Sequence, residues 1–128
     1  MFCQTEYKII RNGEVGIPHE IYGKCKVLVT EEDGTMIITV WLAETELDED
    51  EINEMHIISE EETVIDKREK KLRLPKVFLD YIGEDNMMAV CGVGDRIELM
   101  RARDYRKAMN DTAIQNILEE LLENLEEL

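Results

Sequence analysis

The feature that most limits what this chain can fold into is a repeat written into its own sequence. Residues 22–40 match residues 82–100 at an offset of 60: Gly23 aligns with Gly83, Gly34 with Gly94 and Ile37 with Ile97. Between the glycines, Val27-Leu28-Val29 aligns with Met87-Met88-Ala89. Upstream the offset is 57, where Ile17-Pro18 aligns with Leu74-Pro75, and Val15 and Ile17 alternate as Leu72 and Leu74 do. Each half therefore predicts one plan: a short strand ending in Ile/Leu-Pro, a helical turn ending at glycine, then a strand, a glycine turn and another strand. About 40 residues cannot bury enough apolar surface to offset chain entropy. The two halves must interleave, within the chain or with another copy, around a pseudo-twofold core.

Local chemistry fills in this plan. Pro75 opens a helix at a position where its missing N–H costs nothing. Val77, Phe78, Tyr81 and Ile82 share one face of it, and Gly83 is placed as the left-handed cap. In the first half the interval from Pro18 to Gly23 is three residues shorter, which removes about one helical turn. Residues 26–42 read as two strands joined at Asp33-Gly34, a strong hairpin dipeptide. Residues 87–100 read as a second hairpin with Gly92 and Gly94 in its turn. Residues 43–55 set Leu47, Ile52 and Met55 among acids and predict a short exposed helix or a loop. Residues 96–128 contain no Gly or Pro. Tyr105, Ala108 and Met109 begin a helical pattern there, continued by Ile114, Ile117, Leu118, Leu121, Leu122, Leu125 and Leu128. The last seven form a stripe, with Glu119, Glu120, Glu123, Glu126 and Glu127 mostly opposite. Such a stripe suits packing on the chain's own core or contact with another subunit or partner. The expected fold class is α+β, mainly β, with a C-terminal amphipathic helix.

Charge sorts the chain further. Its 128 residues hold 30 acids and 15 bases, a net charge of −15, and a DNA duplex repels a polyanion. The acids are not evenly spread. Residues 44–62 hold ten acids and no base, and residues 111–128 hold six acids and no base. Set those aside and the rest carries 14 acids against 15 bases. Within it, residues 67–76 contain six bases and one acid. One reading is phosphate contact by Lys67, Arg68, Lys70, Lys71 and Arg73 from an exposed strand or loop, with Arg73 able to grip a guanine edge bidentately. The other is a basic strand paired internally with the acids of 44–62. No aromatic residue interleaves the cluster, so stacking on single strands fits poorly.

Signs of enzyme chemistry are thin. Residues 92–95 (Gly-Val-Gly-Asp) lie between strands and lack the strand–loop–helix setting of a phosphate loop. His19 and His56 have no partner at ligand or triad spacing. The acids at 48–51 lack the glycine and 12-residue spacing of an EF-hand. Cys3, Cys25 and Cys91 are odd in number and far apart, which disfavours a disulfide framework and a cysteine zinc site. Cys91, between Val90 and Gly92, reads as a small buried hydrophobe. No enzyme activity, cofactor or metal is expected. With no run of 18 apolar residues and no basic-then-apolar N-terminal segment, neither a membrane span nor a secretory signal is expected, and the expected location is cytoplasmic.

The run Gly92-Val93-Gly94-Asp95-Arg96-Ile97-Glu98-Leu99-Met100, preceded by Leu72-Arg73-Leu74-Pro75, resembles the second repeat of the MraZ family of AbrB-like, swapped-hairpin DNA-binding proteins. That repeat carries a strand ending in Ile-Pro, a short helix ending near glycine, and then G-V-G-x-R-I-E-I-W. Here Leu99-Met100 closes the motif, so the family's tryptophan is absent. Asp104-Tyr105 stands about where an acidic-plus-aromatic pair follows. The resemblance covers residues 64–109, while residues 7–42 match the skeleton of a first repeat. It implies tandem swapped-hairpin half-units: a degenerate first repeat at 1–43, an acidic linker or short helix at 44–62, a second repeat at 63–109, and an acidic amphipathic helix at 110–128. It also implies a transcriptional regulator that binds double-stranded promoter DNA as a homo-oligomer, and is nucleoid-associated when bound. The family's DNA-contacting signature, D-x-x-x-R, sets its arginine four residues before the proline. That position is Lys71 here, and the aspartate position is Lys67, with Asp66 one residue out of register. Counting back from Pro18 gives Glu14 and Ile10, so the basic motif belongs to the second half and charge changes at Glu14 are expected to matter little. The alternative is a protein-interaction module. AbrB-like antitoxins join a DNA-binding part to an acidic C-terminal segment that occupies a toxin, and residues 110–128 are similar in character. On that reading the chain is an antitoxin or an oligomeric scaffold that has lost specific DNA binding.

Overall fold

The computed structural model describes residues 4–18, 21–45, 56–93 and 95–126. Among them the chain runs β1 (Gln4–Ile9), β2 (Glu14–Gly16), β3 (Gly23–Glu32), β4 (Thr35–Leu42), β5 (His56–Ile65), β6 (Lys71–Arg73), α1 (Lys76–Ile82), β7 (Met87–Val93), β8 (Arg96–Arg101) and α2 (Ala102–Glu126). Six strands make one antiparallel sheet in the order β1-β7-β8-β4-β3-β5, and β2 and β6 pair as a separate ribbon. Exchanging the halves (β1 with β5, β3 with β7, β4 with β8) turns that sheet order into its own reverse. Each half's first strand has left its own half: β1 lies on β7, and β5 lies on β3.

The registers carry the two offsets seen in the sequence. In the ribbon, Val15 faces Leu72, and the flanking pairs Glu14–Arg73 and Gly16–Lys71 exchange with each other at the offset of 57. At the centre of the sheet, Ile38–Leu99 and Thr39–Glu98 exchange at the offset of 60. Backbone bonds repeat the relation, since the Ile17 N–H donates to the Lys70 carbonyl (2.7 Å) and the Leu74 N–H to the Gly13 carbonyl (2.9 Å). Gly13 and Lys70 correspond at the offset of 57, and both take left-handed φ, 73° and 52°. Glycine adopts this conformation freely, whereas for lysine it costs roughly 1 kcal/mol.

The core lies between the inner face of the sheet and a lid made of the ribbon and α1. Val27 and Val29 on β3, Ile38 and Val40 on β4, and Ile97 and Leu99 on β8 are buried at i, i+2 spacing, one face of a pleated strand. Val15 and Leu72 meet them from the ribbon and Phe78 from α1, and these belong to one apolar cluster. The first hairpin turns at Asp33-Gly34, both with positive φ (51° and 81°), which matches the right-handed twist of the strands it joins.

The structure corrects several expectations. Gly92 is not in the second turn: it sits in β7 opposite Ile97, and Val93 pairs with Arg96. Residues 56–62 are not linker, because they form most of β5. This strand sits at the sheet edge and pairs with β3 alone, so its Glu60, Glu61 and Glu62 reach solvent, a usual way of blunting an edge. The helix or loop expected at 43–55 falls mainly on residues 46–55, outside the described residues, as does the centre of the first-half turn at 19–20. Cys91 is buried but disulfide-bonded, to a partner outside the described residues. Distance along the sequence is no guide to distance in space here, because β1 lies on β7 with Thr5 opposite Cys91. The C-terminal helix starts directly at Ala102, and its side chains from 107 to 125 are exposed, so the stripe does not pack on the chain's own core. No helix among the described residues is long and apolar enough to cross a membrane.

Phe78 is fully enclosed, whereas Val64 is 71% exposed on the edge strand. Phe78→Ala is therefore expected to cost about 3–5 kcal/mol of unfolding free energy, and Val64→Ala no more than about 0.5 kcal/mol. Urea unfolding followed by the emission of the single tryptophan, the buried Trp41, measures both.

Candidate nucleic-acid interface

The basic segment is shaped by one acid. As β5 ends, the Asp66 carboxylate accepts the backbone N–H of Arg68 (2.6 Å) and of Glu69 (3.2 Å), and its carbonyl accepts that of Lys70 (2.8 Å). This is the side-chain mimicry of a turn that suits aspartate. It projects Lys67 and Arg68 into solvent and returns the chain into β6. The Lys67 ammonium sits 5.2 Å from the centre of the Tyr22 ring, a cation–π contact that orients it without neutralising it. On β6 the strand period of two buries Leu72 and leaves Lys71 and Arg73 exposed on the outer face. The five predicted cations therefore occupy one turn and the strand that follows it. Among the described residues, no carboxylate lies within ion-pair distance of Lys67, Arg68, Lys71 or Arg73. The described acids of 44–62 are elsewhere: β5 pairs with β3, where Glu62 faces Lys26, while the strand partner of β6 is β2.

Two further cations join this surface. Arg11 is exposed on the turn between β1 and β2, where it corresponds to Arg68 at the offset of 57. That offset, applied to the basic cluster, was the signal that could have found it. Lys8 reaches over the ribbon from β1, its Cδ 4.0 Å from where a Cβ on Gly16 would stand, and its ammonium pairs with Glu6 at 3.2 Å. No sequence signal marks Lys8. The register also revises the expectation for Glu14, which lies directly across from Arg73. A charge change there alters the neighbourhood of a candidate DNA-contacting arginine.

A second charged cluster sits at the base of α2. Arg101 grips Asp104 with two bonds, Nε to Oδ2 at 2.7 Å and Nη2 to Oδ1 at 2.9 Å. The Tyr81 hydroxyl donates to the same Oδ2 at 2.6 Å, and the Arg101 guanidinium lies 4.3 Å from the centre of the Tyr81 ring. Asp85 joins through Arg103 at 3.4 Å and Arg101 at 3.8 Å. Burial alone would push the Asp104 carboxyl up, but the bonds from Arg101 and Tyr81 outweigh it and hold the group below its ordinary value. Burial, and then the bond to that carboxylate, push the Tyr81 phenol up. The bond to Asp104 raises Arg101 despite its partial burial. Every group here is engaged by a neighbour. The cluster clamps α2 to α1, and none of its atoms is poised toward a ligand. Burial likewise pushes up the free Cys25 thiol. Exposed His56 opens β5 opposite Glu31, and His19 lies outside the described residues. Among the described residues, no three His, Cys, Asp or Glu side chains converge as a metal site would require.

Comparison with protein-family models, with curated proteins and with solved structures finds no match to this chain.

Because Asp104 binds its proton less readily folded than unfolded, the stability it adds is fully present above about pH 4 and is lost as pH falls through the folded value. Asp104→Asn is expected to flatten the acid limb of the stability–pH curve and to cost about 1–3 kcal/mol at neutral pH. Urea titrations of both chains across the acid range test the sign and the size. An unchanged acid limb would contradict the assignment.

Proposed function

We propose that the chain is a DNA-binding transcriptional regulator of the MraZ/AbrB-like swapped-hairpin type, which binds promoter DNA as an oligomer through the basic segment of its second repeat. The observation that carries this reading is the outer face of the ribbon. Two short strands, one from each half, meet at Val15–Leu72 and present Lys71 and Arg73 outward with a cationic turn beside them. A two-stranded ribbon is one of the shapes that the major groove of B-DNA admits. Strand exchange between halves is what a swapped-hairpin unit requires, and Lys71 stands at the family's arginine position. Residues 11–16 and 66–73 together hold six bases against three acids, so the surface attracts phosphate although the whole chain is a polyanion. Lys67, Arg68, Lys70 and Lys71 would set position through phosphates, and Arg73 is the group suited to a base edge.

One observation favours the second reading, an AbrB-like antitoxin or a scaffold without specific DNA binding. Residues 107–125 of α2 are exposed, as a partner-binding helix would be.

Fluorescence anisotropy on a duplex from the chain's own promoter, measured across a salt series, separates the two. Binding should weaken with salt at a log–log slope of about −0.9 per phosphate contact. Lys67→Gln with Lys71→Gln should flatten that slope by about two units and weaken binding to every sequence, while Arg73→Gln should relax base preference. Glu14→Lys, which places a cation opposite Arg73, should tighten binding and steepen the slope by about one unit. A double variant that binds like the parent removes the site assignment. A parent that fails to bind at low salt transfers the proposal to the antitoxin or scaffold.

A further inference from the structure

The helix α2 uses two different faces. At its base, Ala102 is buried, Tyr105 is half-buried and packs edge-on against Tyr7 at 6.2 Å, and its hydroxyl lies 3.0 Å from Thr5 Oγ1. Further on, Ile114, Ile117, Leu118, Leu121, Leu122 and Leu125 are each more than half exposed. At 3.6 residues per turn, the centre of this second set lies about 160° around the helix from Ala102, Tyr105 and Met109. The stripe therefore begins on the side of the helix opposite the one that docks on the body, and the chain cannot fold its own sheet over it. Lys107 and Asp111, on the stripe side before Ile114, stop it from extending toward the body.

The placement of charge indicates what covers the stripe. Ile114, Leu118, Leu121 and Leu125 alternate at spacings of four and three, the d and a positions of a heptad. The flanking e and g positions are Gln115, Ile117, Leu122 and Asn124, none of them charged. Glu119, Glu120 and Glu123 all fall at b, c and f, on the far side. A basic partner would be met by acids beside the seam, and here the acids face away from it. A second copy of a chain carrying −15 needs its like charges kept off the seam, and this arrangement does so. A parallel arrangement also matches g with the following e of the neighbour: Ile117 against Leu122, and Asn110 against Gln115.

We propose that residues 114–125 of α2 form a parallel, in-register helical bundle with the same segment of other copies of this chain. Apolar residues at e and g give the seam the width of a bundle face, broader than a two-position zipper. The parallel sense collects the β bodies at one end of the bundle. This deepens the oligomeric part of the functional reading and does not depend on DNA binding.

Sedimentation of the full chain at micromolar concentration, without DNA, is expected to give a multiple of the 14.9 kDa chain mass. Leu118→Glu with Leu121→Glu should return it to the single-chain mass with Trp41 emission unchanged, because this part of α2 is exposed. Glu120→Lys with Glu123→Lys, on the far face, should keep the multiple. In a separate variant, Leu125→Cys should cross-link copies on oxidation, since parallel helices set position 125 beside itself. A parent that sediments as a single chain overturns the proposal, as does a Leu118/Leu121 variant that stays assembled. An assembled Leu125→Cys chain that does not cross-link overturns the parallel arrangement. Each result stands whether or not the chain binds DNA.

Discussion

The contact of Val15 with Leu72 closes the core, and most of the molecule depends on it. The inner face of the sheet is apolar and is covered by β2, β6 and α1, while Leu28, Trp41, Ala89 and Cys91 are buried on the opposite face. Three residues from each half suffice because they are tied at both ends, by the Ile17 bond to Lys70 and the Leu74 bond to Gly13. Both acceptors are carbonyls of left-handed residues, which turn the chain sharply enough for strand and turn to lie side by side. Lys70 thus serves the fold through its backbone while its side chain belongs to the cationic surface. The turn that carries the basic residues is held by the Asp66 bonds and by the Ile17 bond to Lys70, a fixed backbone of the kind the proposed DNA contact would need.

Strand exchange follows from the same economy of size. A half-unit of this length has a hairpin, a lid strand and one further sheet strand, and that strand does not cover its own hairpin's edge. Each half supplies that strand to the other, β1 to β7 and β5 to β3. The cost is long-range pairing, since Gln4 meets Gly92 across about two-thirds of the chain, and contacts of that kind must close a large loop before they stabilise anything. The remaining sheet edges are β1 and β5. Glutamates blunt β5, and Tyr7 on β1 is partly covered by Tyr105 and by the Arg106 guanidinium, 5.2 Å from its ring centre.

How much of this was legible in the sequence depended on whether a feature was local or written twice. The offsets of 57 and 60 marked the two contacts at which equivalent strands of the halves meet, β2 with β6 and β4 with β8, because twofold-related positions feel the same environment. Asp33-Gly34 marked its turn through backbone chemistry alone. β5 was hidden because an edge strand with solvated faces reads as a charged linker: Glu60-Glu61-Glu62 shows no apolar alternation. Gly92 was assigned to a turn because glycine usually sits in one, yet the register of β7 against β8 decided otherwise. The basic turn was visible as composition, but its shape depends on Asp66, and its enlargement by Arg11 and Lys8 depends on pairing across the ribbon. The Arg101–Asp104–Tyr81 clamp joins residues from two helices and a strand, and no spacing rule connects Tyr81 to Asp104.

A net charge of −15 then need not contradict a DNA-facing ribbon, because charge acts through distance as well as number. At physiological ionic strength, exposed charges are largely screened beyond about 8 Å. Glu119 is seventeen residues beyond Ala102, so a straight helix carries it about 25 Å from the point where α2 leaves the body. The glutamates of α2 therefore contribute little to the potential at Lys71. Among the described residues, the acids near the ribbon include Glu14 across from Arg73, Asp66 and Glu69 in the basic turn, and Glu62 where β5 approaches that turn. Asp66 is committed to holding the turn's backbone, and Glu62 has Lys26 as its neighbour across the strands. That leaves Glu69 in the turn and Glu14 on the ribbon itself, directly across from Arg73. Glu14 occupies the place where the second half has Lys71, and Ile10, Gly13 and Gly16 stand where that half has Lys67, Lys70 and Arg73; together these four positions make the charge asymmetry between two halves that otherwise share their register.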